Sequence, residues 1–316
     1  MIALRSAIQS MTTALVVVAA SVSIGCEARQ VGWGREPVPE PTVFAPGIIS
    51  TAAREYGIAF TPDGADAYFT RRARRGPPQI FVSRYTGGSW SEPAPAAFST
   101  GREEAPFITP DGARMLFSSG RPVWGSGDRS ENIWVMERGP EGWMSPTPLP
   151  GVVNQPRSEI DGFTTGSELG PILAPNGSLL YWTRVDSEWG SDLYVADPDS
   201  SGAYMNARPL LINTYGDESN PAMSPDGRYL IFQGYRNADA FGGQDLYASE
   251  QTDYGWSDPW LLPKPINSEQ NDSYPSFSPD GRFFFFASDR DGRSGYYDIY
   301  YVEYDALRLP QPQPRP

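Results

Sequence analysis

Five stretches of the chain repeat one succession of polar and apolar positions. Each begins with a short mixed strand, of which Tyr274-Pro275-Ser276-Phe277-Ser278 is an example. A tight polar turn follows, and then an apolar run: Ala67-Tyr68-Phe69, Met115-Leu116-Phe117, Leu179-Leu180-Tyr181-Trp182, Tyr229-Leu230-Ile231-Phe232 and Phe283-Phe284-Phe285-Phe286. Continuous apolar character predicts strands buried on both faces. After a polar loop comes a third strand, read at Gln79-Ile80-Phe81, Asn132-Ile133-Trp134, Asp192-Leu193-Tyr194, Asp245-Leu246-Tyr247 and Asp298-Ile299-Tyr300. A fourth opens with an aromatic residue and soon meets proline, as in Trp90 with Pro93, Trp143 with Pro146, Tyr204 with Pro209 and Trp256 with Pro259. Proline marks an edge strand, where a missing N–H costs little.

The turns share a tripeptide: Pro62-Asp63-Gly64, Pro110-Asp111-Gly112, Pro175-Asn176-Gly177, Pro225-Asp226-Gly227 and Pro279-Asp280-Gly281. Proline fixes φ, Asp or Asn closes a side-chain turn, and Gly takes the left-handed position. The spacings of 48, 65, 50 and 54 residues suit one four-stranded blade plus loops. The fifth copy ends near Leu309 without a fourth strand. Trp33 with Pro37, then Thr42-Val43-Phe44, carries that missing character at the other end of the chain. The pattern therefore predicts an all-β, five-bladed β-propeller over residues 41–309, closed by an N-terminal outer strand that docks near Tyr300.

The phrases Ser224-Pro225-Asp226-Gly227-Arg228 and Ser278-Pro279-Asp280-Gly281-Arg282, the latter running on to Asp298-Ile299-Tyr300, resemble the WD-like repeat of TolB-type β-propellers across residues 41–305. The resemblance implies the fold. Its functional content is broad, because such repeats occur in periplasmic interaction proteins, in the propeller of prolyl oligopeptidases and in many lipoproteins. The chain carries five copies where TolB has six blades. Beside these repeats, neither the N-terminal domain of TolB-type proteins nor a hydrolase domain is expected.

Composition narrows the chemistry. Of 316 residues, 25 are Lys or Arg, 38 are Asp or Glu and none is His, for a net charge of −13. The lack of histidine excludes a Ser-His-Asp triad, a Cys-His pair, His-ligated zinc and an imidazole base. The acidic balance argues against nucleic acid as a partner. Residues 1–25 hold a single charge, Arg5, and an apolar stretch from Met11 to Ile24. They read as a secretory signal peptide. Cys26, the sole cysteine, follows Ser23-Ile24-Gly25 in a segment that resembles a bacterial lipobox, although Ser23 stands where Leu is usual. The resemblance implies lipidation at Cys26 and, through Glu27, an outer-membrane anchor facing the periplasm or the surface. Residues 26–40 read as the tether and 310–316 as a polyproline-type tail.

Repeat geometry turns position into candidate sites. An acid stands seven residues before each turn proline: Glu55, Glu103, Glu168, Glu218 and Asp272. An arginine recurs at the end of each second strand: Arg71 (or Arg72), Arg121, Arg184, Arg236 and Arg290. Both sets are expected on one rim of the central channel. They read either as acid–arginine locks within the ring or as a charged mouth for a polar ligand, a cation or a partner loop. No loop has the usual calcium spacing, and no cofactor is called for.

Three long loops break the symmetry on the same rim: Gly120 to Glu131, with Arg121, Trp124 and Asp128; Asn154 to Ser167, with Arg157, Glu159, Asp161 and Phe163; and Arg236 to Gln244, with Asp239 and Phe241. Trp124 and Phe241 stand as candidates for stacking on a sugar or holding a peptide, or for packing on their own blades. Two functions remain open. One is a non-catalytic envelope lipoprotein that binds a protein, glycan or cell-wall ligand through this rim. The other is a carbohydrate-active enzyme of the glycoside hydrolase type, using channel carboxylates.

Overall fold

In the computed structural model the described residues are 32–34, 36–123, 130–156, 158–160, 163–184, 190–235 and 240–310, with only the backbone described for 158–160 and 163–165. They form five antiparallel sheets set around an axis. The inner strands are Arg54–Phe60, Glu103–Ile108, Glu168–Leu173, Glu218–Met223 and Asp272–Phe277. Each pairs with a second strand, Asp66–Arg72, Arg114–Ser119, Leu179–Arg184, Tyr229–Gly234 or Phe283–Ser288, and that with a third. In blades 1, 2 and 4 the outer strand is two short pieces, such as Gly142–Trp143 and Thr147–Pro148. In blade 3 it is one strand, Tyr204–Pro209. A hairpin of Ser158–Ile160 and Phe163–Thr165 lies in the chain between blades 2 and 3.

The turns take the predicted form. Asp63 Oδ1 accepts from Thr61 Oγ1 at 2.7 Å and from the Ala65 amide at 3.1 Å, and Asp111, Asp226 and Asp280 repeat the pattern. The glycines that follow have φ between 66° and 85°, the left-handed region that glycine enters without steric cost.

The alternating side chains of each second strand divide between the two neighbouring blade interfaces. Phe283 and Phe285 pack with Phe60, Phe69 and Trp90 of blade 1, whereas Phe284 and Phe286 pack with Tyr229, Ile231 and Leu246 of blade 4. The other three interfaces repeat the arrangement around Met115 and Phe117, Leu116 and Tyr181, and Leu230 and Phe232. This is why the sequence is apolar at successive positions.

The ring closes as the repeat count requires. Thr42 and Val43 pair with Tyr301 and Tyr300 in antiparallel register. The paired piece is only two residues long. Trp33 does not join the strand but packs edge-on against Phe60, its ring centroid 5.0 Å away, while its indole donates to Asp280 at 3.1 Å. Phe44 drives the closure. It is buried between blades 5 and 1, with the rings of Phe60, Trp90, Phe285 and Tyr301 all within 6 Å.

One feature is absent from the sequence reading. Every inner strand carries a β-bulge at a residue of positive φ: Gly57, Ala105, Gly170, Asn220 and Tyr274. In four cases the second strand of the preceding blade reaches this residue. Thr70 Oγ1 accepts from the Ala105 amide, Ser118 Oγ from Gly170 and Gln233 Oε1 from Tyr274, while the Trp182 indole donates to Asn220 Oδ1. The bulges thus present polar groups that stitch one blade to the next.

Candidate functional site

The five inner strands enclose an axial cavity of about 830 Å³. Its wall is apolar and rich in proline, with Pro106, Pro171, Pro221 and Pro275 just beyond the bulges of blades 2 to 5. It reaches the turn prolines Pro62, Pro110, Pro175, Pro225 and Pro279 at one rim. Tyr274 stands in its wall toward the other, acid-bearing rim, where Tyr274 meets Tyr56 with ring centroids 4.4 Å apart. Tyr274 holds φ at +51°, a costly conformation for a bulky residue and one that the surrounding contacts must maintain.

The rim acids lie at the entry of the inner strands, where the repeat places them, and all five are buried. Glu55 accepts from the amide and hydroxyl of Thr51 and from Arg71 Nε at 2.8 Å. Burial raises its pKa, against the pull of Thr51 and Arg71. Glu103 is held by Ser99, Thr100 and the Gly101 amide, with Arg121 at 3.3 Å. Asp272 accepts from Ser268 and from Arg290 at 2.7 Å. Glu218 accepts from the amide and hydroxyl of Thr214. A hydroxyl residue four positions before the acid, in Thr51, Ser99, Thr214 and Ser268, recurs as part of this clasp.

Blade 3 departs from the expected pairing. Glu168 accepts from the Gln155 amide at 3.4 Å, and Arg184 reaches Glu131 of blade 2 at 3.8 Å. Strand parity explains this. Glu168 stands opposite Thr183, so Arg184, one residue further along the same strand, points to the other face of the sheet. Arg121 and Arg290 lie two residues past the partners of their acids, beyond the strand end, and fold back. Arg236, Trp124 and Cys26 lie outside the described residues, as do Asp128, Asp161 and Asp239. The side chains of Arg157, Glu159 and Phe163 are likewise outside the description. Phe241 is exposed, with the Lys264 ammonium 5.1 Å from its ring centroid.

Two groups missed by the repeat analysis are more distinctive. Glu104, next to the buried Glu103, accepts a 2.9 Å hydrogen bond from the Tyr56 hydroxyl. Its pKa is raised, chiefly by burial and also by Glu131, while Tyr56, Arg184 and Arg72 act in the opposite sense. Burial pushes the hydroxyls of Tyr56 and Tyr274 up as well. The available signal was asymmetry: the residue after the rim acid is Tyr56, Glu104, Leu169, Ser219 or Ser273, so only one blade places a carboxylate there. The second group is an exposed aromatic set on blade 4. Tyr215 lies in the segment entering its inner strand, and Tyr235 and Phe241 flank the loop between its second and third strands. The Tyr235 amide donates to Asp217 O at 2.9 Å, tying the two segments together on the acid-bearing rim.

No protein-family model matches the chain, and no curated protein matches it. Solved structures match its fold. An arabinanase from Bacillus subtilis superposes with a TM-score of 0.51 at 12% identity, over 80% of this chain and 95% of that one. TolB from Acinetobacter baumannii is similar with a TM-score of 0.49 at 18% identity, over 81% of this chain, which spans 53% of that TolB. A protein from Dyadobacter fermentans aligns with a TM-score of 0.49 at 11% identity, over 84% of this chain and 98% of the other. At these identities the likeness is one of fold, and the function is argued from the site.

Proposed function

We propose that the chain is a non-catalytic binding protein of the bacterial cell envelope, held to the membrane by lipid on Cys26, whose acid-bearing rim takes a glycan or protein ligand. One observation carries the reading: Tyr215, Tyr235 and Phe241 are exposed together on the rim of a single blade. Exposed aromatic rings present flat apolar faces with little side-chain entropy to lose, which suits sugar faces and protein anchors alike. The recurring rim acids support binding over catalysis, because their oxygens already accept hydrogen bonds within the ring. Screening the full chain on a glycan array, with pull-down from envelope extracts beside it, tests the proposal. Replacing Tyr215, Tyr235 and Phe241 by Ala is expected to weaken the captured ligand at least about tenfold. Retention of full affinity would remove the aromatic rim from the account.

A second reading, glycoside hydrolysis, has one observation in its favour. Glu104 is a desolvated carboxyl with a raised pKa, as a general acid needs, and Glu131 lies close enough to act on it. Release of reducing sugar from polysaccharides, lost in Glu104→Gln, would establish it.

A further inference from the structure

Arg54 makes none of the carboxylate contacts that hold the rim arginines Arg71, Arg121 and Arg290. It stands opposite Arg72 in the strand pair, so both side chains share one face of blade 1. Its guanidinium lies over the Tyr297 ring, 5.3 Å from the centroid. Its Nε is buried and, among the described residues, has no hydrogen-bond partner; Arg54 makes no ion pair among them either. A buried guanidinium N–H without an acceptor is costly to keep, while the rest of the half-buried side chain stays open to solvent. Arg72 donates only to the Gly76 carbonyl at 3.1 Å among the described residues. Arg184 approaches Glu131 no closer than 3.8 Å. Arg72 and Arg184 act on Glu104 against Glu131, and Arg54 and Arg184 act on Tyr274 against Glu104 and Tyr297. A chain of net charge −13 thus gathers cations where its axis meets the rim.

The geometry points to a carboxylate-binding subsite at this mouth, in which Arg54, supported by Arg72 and Arg184, receives the carboxylate of an acidic glycan built of uronate residues. The inference rests on the rim being a glycan surface. The guanidinium fork matches a carboxylate in plane and spacing, and stacking on Tyr297 fixes that plane.

The test titrates the full chain at low salt with a hyaluronan hexasaccharide and with the same oligosaccharide after its carboxyls are reduced to alcohols. The acidic form is expected to bind at least about tenfold tighter, the scale of one charge-assisted hydrogen bond. Arg54→Gln should abolish that preference, Arg54→Lys should keep part of it, and Arg208→Ala, on an outer strand, should keep all of it. Equal binding of the two oligosaccharides, or an undiminished preference in a folded Arg54→Gln variant, overturns the subsite. Competition by inorganic phosphate as strong as that by the hexasaccharide would also overturn it, leaving a plain anion site. Binding of neutral glycans with no preference for acidic ones would sink the subsite alone. Failure of every glycan on the array would take the glycan reading of the rim with it.

Discussion

The hydroxyl of Tyr56 donates to the carboxyl of Glu104 across the interface between blades 1 and 2, at 2.9 Å and 48 residues apart in sequence. This bond breaks the fivefold symmetry at the axis, and it ties the ionisation of one carboxyl to the packing of two blades.

Stability should therefore depend on pH in a defined direction. The pKa of Glu104 is raised above its ordinary value of 4.5, so the folded state holds this proton more tightly than the unfolded chain does. The contribution is full below pH 4.5 and is lost as pH rises through the folded pKa. Glu104→Gln is expected to melt above the parent at pH 7, with the gap closing below pH 4.5. Thermal melts of both proteins across that range check the sign, and a gap that widens toward acid would contradict it.

The clasp around Asp272 is a structural lock. Arg290 donates to Asp272, Ser288 and the carbonyls of Pro265 and Ile266 from a largely buried position. Asp272→Ala leaves that cation without its carboxylate and should cost about 3–5 kcal/mol. The exposed pair Arg208–Asp197 provides the contrast, since Arg208→Ala should cost no more than about 1 kcal/mol. Urea denaturation of the two variants measures both.

Blade-to-blade stitching predicts a third effect. Gln233 Oε1 accepts from the Tyr274 amide and from Asn220 Nδ2, both near the axis. Gln233→Ala strands two donors and should destabilise by about 1–3 kcal/mol. Hydrogen exchange at Tyr274 should quicken in the variant, and unchanged exchange there would refute the role.

Ala105 holds φ at +52°, where a Cβ is unfavourable. Ala105→Gly should stabilise the fold by roughly 1 kcal/mol, the reverse of the usual cost of glycine in a strand. A lower denaturation midpoint would show that strain at the bulge is not the governing term.

Much of this architecture was legible because turns and burial are written locally. Pro-Asp-Gly specifies its hairpin within three residues, and Phe283 to Phe286 declare two buried faces by leaving no polar alternation. Closure followed from counting strands, and the pairing of Val43 with Tyr300 agrees with it. The bulges left no such mark. Gly, Ala, Gly, Asn and Tyr share the left-handed position, and at four of the five a partner on the neighbouring blade meets it, so no single residue type marks it. Arg184 was read by its place in the repeat, whereas its direction depended on a one-residue offset from Thr183. Arg54, Tyr56 and Glu104 were missed for the opposite reason: a search for what recurs discards the residues that occur once.

The short clasp at Thr42–Val43 also sets an order of events in biosynthesis. That segment precedes every other strand of the ring in the chain, and its partner, Asp298–Glu303, follows all the others. Until the fifth blade has formed, Phe44 has no Phe285 or Tyr301 to cover it. A truncated product therefore carries a sticky, unprotected end, and quality-control proteases have a ready means of telling an unfinished molecule from a finished one.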